Sequence, residues 1–462
     1  MTRFLAENAD AWRCRRGSPV RVGRLLGRPA TAWLIAAVVA LGDMAAHSRA
    51  HAQTLQEAMA LAYRNHPALA AQRAQLRALH EDVDRARAGR LPVVSLRTGT
   101  GHYEDSHRFR EGGGTLHGSR NMSEVRLNAS QPVLNWTTDA AIEAAQARER
   151  QGDADLLDTE QNVMLEVAKA YLHVLQYRKL LALHDANERS LARQVAYRAE
   201  HFQRQLGTRT ELAQAQARHA GALAQRDRVR AELASATSAF LRQVGVAPTD
   251  LSYPESLPAL PDDIGALMDT AMDRAPAVQI AYHGAQAAQA DAQLAEGRLK
   301  PSVSMDVGGG WTSRPDQNAH SRRDASIQLT LSIPLFHAAD RAQLRGDKER
   351  ALREQSLWRD ARLNARHQAM EAWQMLQSAR DQIKAFKAAI EANKVAYEGV
   401  DAEYAALGEL TLIEVLNAQQ ELFLSEVSLV QARTDAALAH LRLLAAQGRL
   451  TARGLGLPVA EQ

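Results

Sequence analysis

Two very long stretches without proline constrain the fold more than any other feature of the sequence. Residues Thr137–Leu206 contain no proline and one glycine, and residues His337–Leu407 contain no proline and two glycines. Because proline breaks helices and glycine weakens them, each stretch predicts one helix of roughly 70 residues, about 100 Å long at 1.5 Å per residue. A compact globular domain does not accommodate rods of this length.

A short turn of similar sequence follows each predicted helix. GTRTELAQAQA (Gly207–Ala217) and GELTLIEVLNA (Gly408–Ala418) have Gly, Thr and Ala at the same three positions. A helical pattern then resumes for about 35 residues, so the chain is predicted to return antiparallel to the helix that it has just left. We expect Gly207 and Gly408 to end the long helices in the left-handed conformation, which glycine adopts without strain. Thr411 marks the second turn, as Thr210 marks the first.

The paired turns belong to a wider internal duplication. Five landmarks recur in the same order: those at Asn65, Ala88, Ser130, Tyr171 and Gly207 match those at Arg274, Glu296, Ser332, Trp373 and Gly408. The offset is 209 residues between Pro67 and Pro276 but 202 between Pro132 and Pro334, so one loop is shorter in the second copy. The predicted divisions are residues 1–52 (signal peptide), 53–245 (first repeat), 246–263 (a linker with four prolines), 264–448 (second repeat) and 449–462 (C-terminal tail).

Each repeat also contains two segments in which apolar and polar residues alternate. Val303, Met305 and Val307 alternate with small or polar neighbours, and the pattern continues from Ile327 to Ile333. A period of two is typical of a strand with one apolar and one polar face. The predicted β-hairpins span residues 92–134 and 301–336, and the predicted long helical hairpins span 137–245 and 337–446.

Four such strands fit either a soluble sandwich or the wall of a membrane barrel, but they are too few for a sandwich. Single-chain outer-membrane barrels have eight strands or more, and an unpaired strand edge in lipid costs several kcal/mol per lost hydrogen bond. The sequence therefore predicts that strands from other subunits complete the sheet. Trp136, Trp311 and Phe336 lie near strand ends and fit either anchors at the membrane interface or core packing.

Residues 1–52 have the three parts of a secretory signal. An arginine-rich start is followed by an apolar run of thirteen residues (Ala30–Gly42) and by small residues at Ala50 and Ala52, after which we expect cleavage. The run is shorter than the roughly 20 residues that span a bilayer. Of the 56 basic residues eight lie in this segment, with three of the 53 acidic ones, so the rest of the chain is near neutral and nucleic-acid binding is not predicted. The only cysteine, Cys14, lies here too, so the mature chain has no thiol to accept a lipid.

From Thr54 to Gly448 the sequence resembles the TolC family of outer-membrane channels, which serve bacterial type I secretion and multidrug efflux. The resemblance runs through TLQEAMALAYRNHPAL, QPVL, AYLHVL, the turn motif and LLAAQG. It implies a fold that is mainly α with membrane β: a TolC-like homotrimer in which four strands per subunit form a 12-stranded β-barrel, continued by a 12-helix periplasmic α-barrel. The two turns would then lie at the periplasmic tip, where helical hairpins converge to close the pore.

The resemblance also assigns an acidic ring at the pore constriction to Glu414 and Asn417, of which only Glu414 keeps a charge. Three Glu414 carboxylates about 7 Å apart would repel by roughly 0.5 to 2.5 kcal/mol per pair, which favours opening and cation selectivity. The alternative is that these residues, with Glu211, are solvated positions on helix faces near a turn.

A latch at the periplasmic aperture is the second site that the resemblance implies. The family's acidic latch residue falls on Glu211, beside Thr210. Its usual basic and aromatic partners fall on Leu410 and Ala405, which cannot pair with a carboxylate, so Arg209 is the substitute donor that we consider.

The sequence predicts neither an enzyme nor a cofactor or metal site, because HExxH, CxxC, phosphate-binding glycine loops and GxSxG are absent. The implied partners are two further copies of the chain, a periplasmic adaptor (membrane fusion protein), an inner-membrane ABC transporter, outer-membrane lipid and an exported protein toxin. The missing lipid-accepting cysteine favours secretion-type members of the family. The cargo that the resemblance of the whole chain implies is a toxin of the adenylate cyclase haemolysin type. A multidrug efflux channel and a periplasmic coiled-coil scaffold are the alternatives.

Overall fold

A computed structural model describes residues 54–108, 115–254, 257–261, 263–316, 319–407 and 412–457, and one order of elements occurs twice along them. The first set comprises α1 (Leu55–Asn65), α2 (Pro67–Ala88), β1 (Val93–Arg108), β2 (Thr115–Leu134), α3 (Trp136–Gln203) and α4 (Arg209–Val244). The second set comprises α5 (Ile264–Arg274), α6 (Pro276–Gly297), β3 (Ser302–Asp316), β4 (Ala319–Ser332), α7 (Ala338–Leu407) and α8 (Leu412–Ala446). Ala50 and Ala52 of the expected cleavage site lie outside the described residues.

The two long helices that the sequence predicts are confirmed. Helix α3 has 68 residues and α7 has 70, and each begins within one residue of its predicted bound. Asn135 caps α3 by accepting a hydrogen bond from the backbone N–H of Thr137, which explains why the helix starts directly after β2. Helix α4 then packs along α3, and α8 packs along α7, so each repeat contributes one long helical hairpin.

The four strands form one antiparallel sheet in the order β1-β2-β3-β4. The strand β2 therefore pairs with both its hairpin partner and β3 of the second repeat, which joins the two repeats into one sheet. In the described residues β1 and β4 each pair on one side only, so the sheet has two open edges.

The main core lies where the long hairpin of the first repeat meets the segment that links the repeats. Tyr171 on α3 and Phe240 on α4 are fully buried, with ring centroids 6.2 Å apart. The Tyr171 hydroxyl donates to the carbonyl oxygen of Ser252 at 2.6 Å and accepts from the Ser252 N–H at 3.1 Å. The linker backbone is thereby held against the first repeat, with Leu251 buried beside the two rings.

None of the helices in the described part of the chain combines the length and the apolar character that crossing a bilayer requires.

Candidate functional site

One face of the sheet is apolar and open to the surroundings of the chain. Apolar residues meet in register across the strands, and one row runs Val94, Ala129, Val307 and Ile327. The large apolar side chains of this face that are exposed include Val94, Leu96, Leu127, Ile327, Leu329 and Leu331. Monomeric soluble proteins rarely expose a contiguous apolar patch of this kind, so the face is suited to contact with lipid or with another protein.

The opposite face of the same sheet is polar. Its neighbouring positions in register include Ser95, Asn128, Gly308 and Ser326. Arg126 Nη1 lies 3.5 Å from Asp324 Oδ2 on this face. The predicted alternation of one apolar and one polar face per strand is therefore confirmed in the part of the sheet next to the long helices. Towards the turn between β1 and β2 the same face carries polar pairs, such as Thr100 with Ser123 and His102 with Asn121.

Trp136 and Phe336 lie just beyond the ends of β2 and β4, whereas Trp311 lies within β3, and all three side chains are exposed. Phe336 is 74% exposed, and Trp136 and Trp311 are exposed as well, so core packing within one chain does not explain them. Lys300 Nζ lies 5.4 Å from the centre of the Trp136 ring, and the Arg341 guanidinium lies 5.2 Å from that of Phe336. Exposed rings with a cationic group nearby are typical of aromatic residues that lie between an apolar and an aqueous environment.

At the turn between α3 and α4, the residue in the left-handed conformation is not the glycine that the sequence indicates. Helix α3 ends at Gln203, and Gln205 takes the left-handed conformation with φ 62°. The N–H groups of Leu206 and Gln205 donate to the carbonyl oxygens of His201 and Phe202, which is a Schellman motif. Gly207 does not have a positive φ, so the expectation that it ends the helix in this way is wrong. Gly408 and Thr411, at the second turn, lie outside the described residues.

Glu211 is held at the start of α4 by two kinds of contact. The Glu211 N–H donates to Thr208 Oγ1 at 3.2 Å, and the Glu211 carboxylate in turn faces the Thr208 N–H, which forms a capping box. Glu211 Oε2 also lies 3.7 Å from Arg198 Nη1 on α3. The Arg198 side chain is only 7% exposed, whereas the Glu211 side chain is 38% exposed, so the ion pair is shielded from solvent on its basic side only.

Sequence reasoning missed Arg198 because it lies thirteen residues before Glu211, on the other side of the turn. Arg209 and Thr210, the neighbours considered as latch residues, are exposed in the first turn of α4. The capping box could have been found from the sequence, since Thr208 and Glu211 have the Thr-x-x-Glu spacing that marks a helix start.

Glu414 and Asn417 lie on one face of α8, near its start. Both are exposed, whereas Val415 and Leu416 between them are buried. At about 3.6 residues per turn, this places the two polar residues on the side of the helix that faces away from the protein interior. Arg218 Nη2 on α4 donates to Asn417 Oδ1 at 3.0 Å. A basic group that the sequence reasoning did not consider is therefore bound next to the expected acidic ring.

A cleft of about 380 Å³ lies beside this bond, between α3, α4 and α8. Gln194 Nε2 on α3 donates to Gln419 Oε1 on α8 at 2.8 Å, so an uncharged contact connects the two hairpins. At the other end of the cleft the rings of His184 and Phe423 meet edge to face at 5.0 Å. Burial lowers the pKa of His184, and the charge of Arg228 lowers it further, so the imidazole is neutral at pH 7.

No group of three or more His, Cys, Asp or Glu side chains suited to holding a metal ion occurs within the described ranges.

The architecture matches that of solved bacterial outer-membrane channels. The crystal structure of the outer membrane protein VceC from Vibrio cholerae superposes with a TM-score of 0.75 at 19% identity, covering 85% of this chain and 96% of that one. This likeness defines the class of fold, which in this chain is helix-rich with one four-stranded antiparallel sheet. The chain belongs to the outer membrane efflux protein family, whose profile matches residues 58–245 and 267–449. It is accordingly an outer-membrane protein of a channel-type family rather than of an enzyme family.

Three relatives illustrate the range of the family. Outer membrane efflux protein BepC of Brucella suis is 29% identical over 438 residues, which is 93% of this chain and 92% of that protein. Protein CyaE of Bordetella pertussis, which the resemblance favours among individual members, is 27% identical over 342 residues, or 71% and 69% of the two chains. Alkaline protease secretion protein AprF of Pseudomonas aeruginosa is 23% identical over 344 residues, or 72% and 71%.

Proposed function

We propose that this chain is the exit duct of a type I secretion system, through which a protein toxin of the adenylate cyclase haemolysin type crosses the outer membrane. An inner-membrane ABC transporter and a periplasmic adaptor would deliver the toxin to the duct. The observation that carries the proposal is the junction of a sheet with one exposed apolar face to two long helical hairpins. The sheet provides a surface for lipid, and the hairpins provide a wall that extends into the periplasm.

A homotrimer is the assembly that we propose. Open edges on β1 and β4 would leave backbone groups without hydrogen bonds in lipid, at a cost of several kcal/mol each. Pairing β4 of one copy with β1 of the next removes both edges. Three copies would supply twelve strands and twelve long helices, because each copy has four strands and the four long helices α3, α4, α7 and α8.

The helical tips are proposed as the periplasmic aperture. Glu414 and Asn417 would line it from α8, and the Arg218 guanidinium bound to Asn417 would lie at the same level. The pair formed by Arg198 and Glu211 would fix the tip of the first hairpin in place of the contact first considered for Arg209. A constriction that contains both Glu414 and Arg218 has less net charge than a ring of carboxylates alone, so its cation selectivity would be weaker than the sequence implies.

Multidrug efflux is the second candidate function. It is favoured by the match to BepC, an outer membrane efflux protein, which covers more of this chain than the matches to CyaE and AprF do. The name of AprF, an alkaline protease secretion protein, favours secretion instead. A non-channel coiled-coil scaffold in the periplasm has less support, because it would have no use for an exposed apolar sheet face.

Deletion of this protein from its host separates the two functions. We expect the toxin to disappear from the culture medium while drug susceptibility stays unchanged, and we expect the intact chain supplied in trans to restore secretion. Unchanged secretion together with a raised susceptibility to drugs would contradict the secretion proposal and support efflux. If lipid vesicles reconstituted with the purified protein are not permeable to ions, the result would contradict a channel of either kind.

A further inference from the structure

The duplicated short helices α2 and α6 have different surroundings within one chain. Helix α6 lies between α3 and α7 and packs on both. Helix α2 packs on α3 and has no α7 on its other side. Seven residues of α6 are buried, whereas only Leu69 and Val83 of α2 are. One face of α2 is therefore left without the neighbour that the equivalent face of α6 has.

The internal repeat identifies the missing neighbour. The offset of 209 residues relates α2 to α6, and the offset of 202 relates α3 to α7. The packing of α2 on α3 thus corresponds to the packing of α6 on α7. Among the described elements the packing of α6 on α3 has no equivalent, because that would require α2 to lie against an α7. A second copy of the chain would supply such a helix.

The contact between α6 and α3 shows what the equivalent contact would contain. Arg148 Nη2 on α3 lies 2.8 Å from Asp291 Oδ1 and 2.5 Å from Asp291 Oδ2 on α6. A Cβ atom on Gly297 would lie 3.1 Å from the backbone nitrogen of Thr137, so the two helices approach closely at this end. The junction thus combines one ion pair, in which a single guanidinium nitrogen contacts both carboxylate oxygens, with a close approach of the helices.

The same acid and the same base occupy the equivalent positions. Asp82 stands 209 residues before Asp291, and Arg350 stands 202 residues after Arg148. Both groups are accessible: the Asp82 side chain is 43% exposed beside Arg85, and the Arg350 side chain is 63% exposed beside Asp347. A carboxylate on the short helix and a guanidinium on the long helix are therefore present on both sides of the proposed junction.

The surfaces around these two residues are also suited to close packing. The open face of α2 contains three exposed alanines, Ala71, Ala74 and Ala78. On the long helices, Ala140 of α3 is buried by its neighbours, whereas the equivalent Ala342 of α7 is exposed. Small side chains allow helices to approach each other closely, as the glycine at the end of α6 does within the chain.

We infer that α7 of a second copy packs against α2, with Arg350 of the neighbouring copy paired to Asp82. The inference rests on the proposed homotrimer and specifies its helical interface. Repetition of one such contact around a three-fold axis closes a ring with three identical ion pairs. In the ring, α2 would lie between two long helices in the same way as α6 does within each chain.

Charge reversal tests this interface in the full-length protein purified in detergent. We expect Asp82→Arg and Arg350→Asp each to lower the trimer-to-monomer ratio at least about tenfold, since three interfaces each gain a like-charge contact of several tenths of a kcal/mol or more. The double variant Asp82→Arg/Arg350→Asp should recover the wild-type ratio. Asp84→Arg, two residues from Asp82 and paired with Arg87, is the matched control and should have no effect.

Single variants with a wild-type ratio, or a double variant that fails to recover, would overturn the inference. Cross-linking in intact cells removes any dependence on refolding in detergent: Asp82→Cys/Arg350→Cys with a short bifunctional maleimide should give dimers and trimers, and Asp84→Cys/Arg350→Cys should give few. Equal yields from both pairs would also overturn it. A wild-type protein that is monomeric in detergent would instead contradict the proposed trimer, so the two failures are distinguishable.

Discussion

Helices α2 and α6 have the same length of 22 residues and both begin with proline, yet they differ in composition as well as in burial. Helix α2 contains four arginines and α6 contains none. The helix that is covered within the chain thus has no arginine, whereas the helix with an open face has four. The duplicated sequence thus distinguishes an internal junction from one between copies: the latter is expected to be more polar, better hydrated and more sensitive to salt.

The largest loss of stability is expected from a charged substitution on the surface that faces lipid, rather than on a surface that faces another copy. Leu127→Arg places a charge on the apolar face of the sheet, which should destabilise the folded protein in membranes by about 2–4 kcal/mol. Asn128→Arg is the matched control, because the adjacent residue belongs to the polar face. Urea unfolding in lipid vesicles measures both. Equal destabilisation by the two variants would show that the apolar face does not meet lipid.

A smaller effect is expected at the end of the two short helices. Gly297→Val inserts side-chain atoms where a Cβ would already lie 3.1 Å from the backbone of α3, and overpacking of this kind costs about 1–3 kcal/mol. Ala88→Val, at the exposed position of α2 that stands 209 residues before Gly297, should leave the unfolding of a single chain unchanged. Thermal unfolding of both variants under conditions that dissociate the trimer tests the difference. A Gly297→Val variant as stable as the wild type would contradict the close packing of α6 on α3.

The helical tips offer a similar comparison, between an acidic and a basic residue of the proposed aperture. Arg218→Gln should make the channel more selective for cations, and Glu414→Gln should make it less so, because the two charges oppose each other. The reversal potential of the channel in a salt gradient across a planar bilayer measures the change. Arg433→Gln, on α8 and one residue before the buried Thr434, is a control that should leave selectivity unaltered. Identical reversal potentials for the first two variants would contradict a lumenal position for Arg218 and Glu414.

The smallest effect concerns salt. Raising the ionic strength from about 0.1 M to about 1 M shortens the Debye length from about 10 Å to about 3 Å, which weakens exposed ion pairs more than shielded ones. The trimer should therefore dissociate at a lower temperature in high salt, while the helix content of each chain stays constant. Light scattering and circular dichroism follow the two quantities in one sample. A trimer that is insensitive to salt would contradict the polar character of its junctions.

The long helices and the two-faced sheet could be predicted because their signals are local. Absence of proline over about 70 residues rich in helix-forming side chains favours one uninterrupted helix, and alternation along β3 and β4 indicates which residues share a face. The position of Gln205 could not be predicted, because a Schellman motif stabilises the left-handed conformation at a residue that does not itself favour it.

The side chains that contact Glu211 and Asn417 at the helical tips could not be predicted from the sequence for a different reason. Arg198 and Arg218 reach Glu211 and Asn417 across gaps between helices, and which side chains meet there depends on the rotation of one rod against another. Spacing along one helix does not carry that information. The repeat offset alone shows that Asp82 is equivalent to Asp291. That Asp82 is a candidate for an ion pair with a long helix follows only from the structure, in which α6 packs on α3.

The mass of the purified protein in detergent tests most directly the claim that this chain forms a channel only as an assembly. Light scattering corrected for bound detergent should give three times the mass of the mature chain for protein extracted from the outer membrane. A protein that remains in solution without detergent at the mass of a single chain would contradict the account.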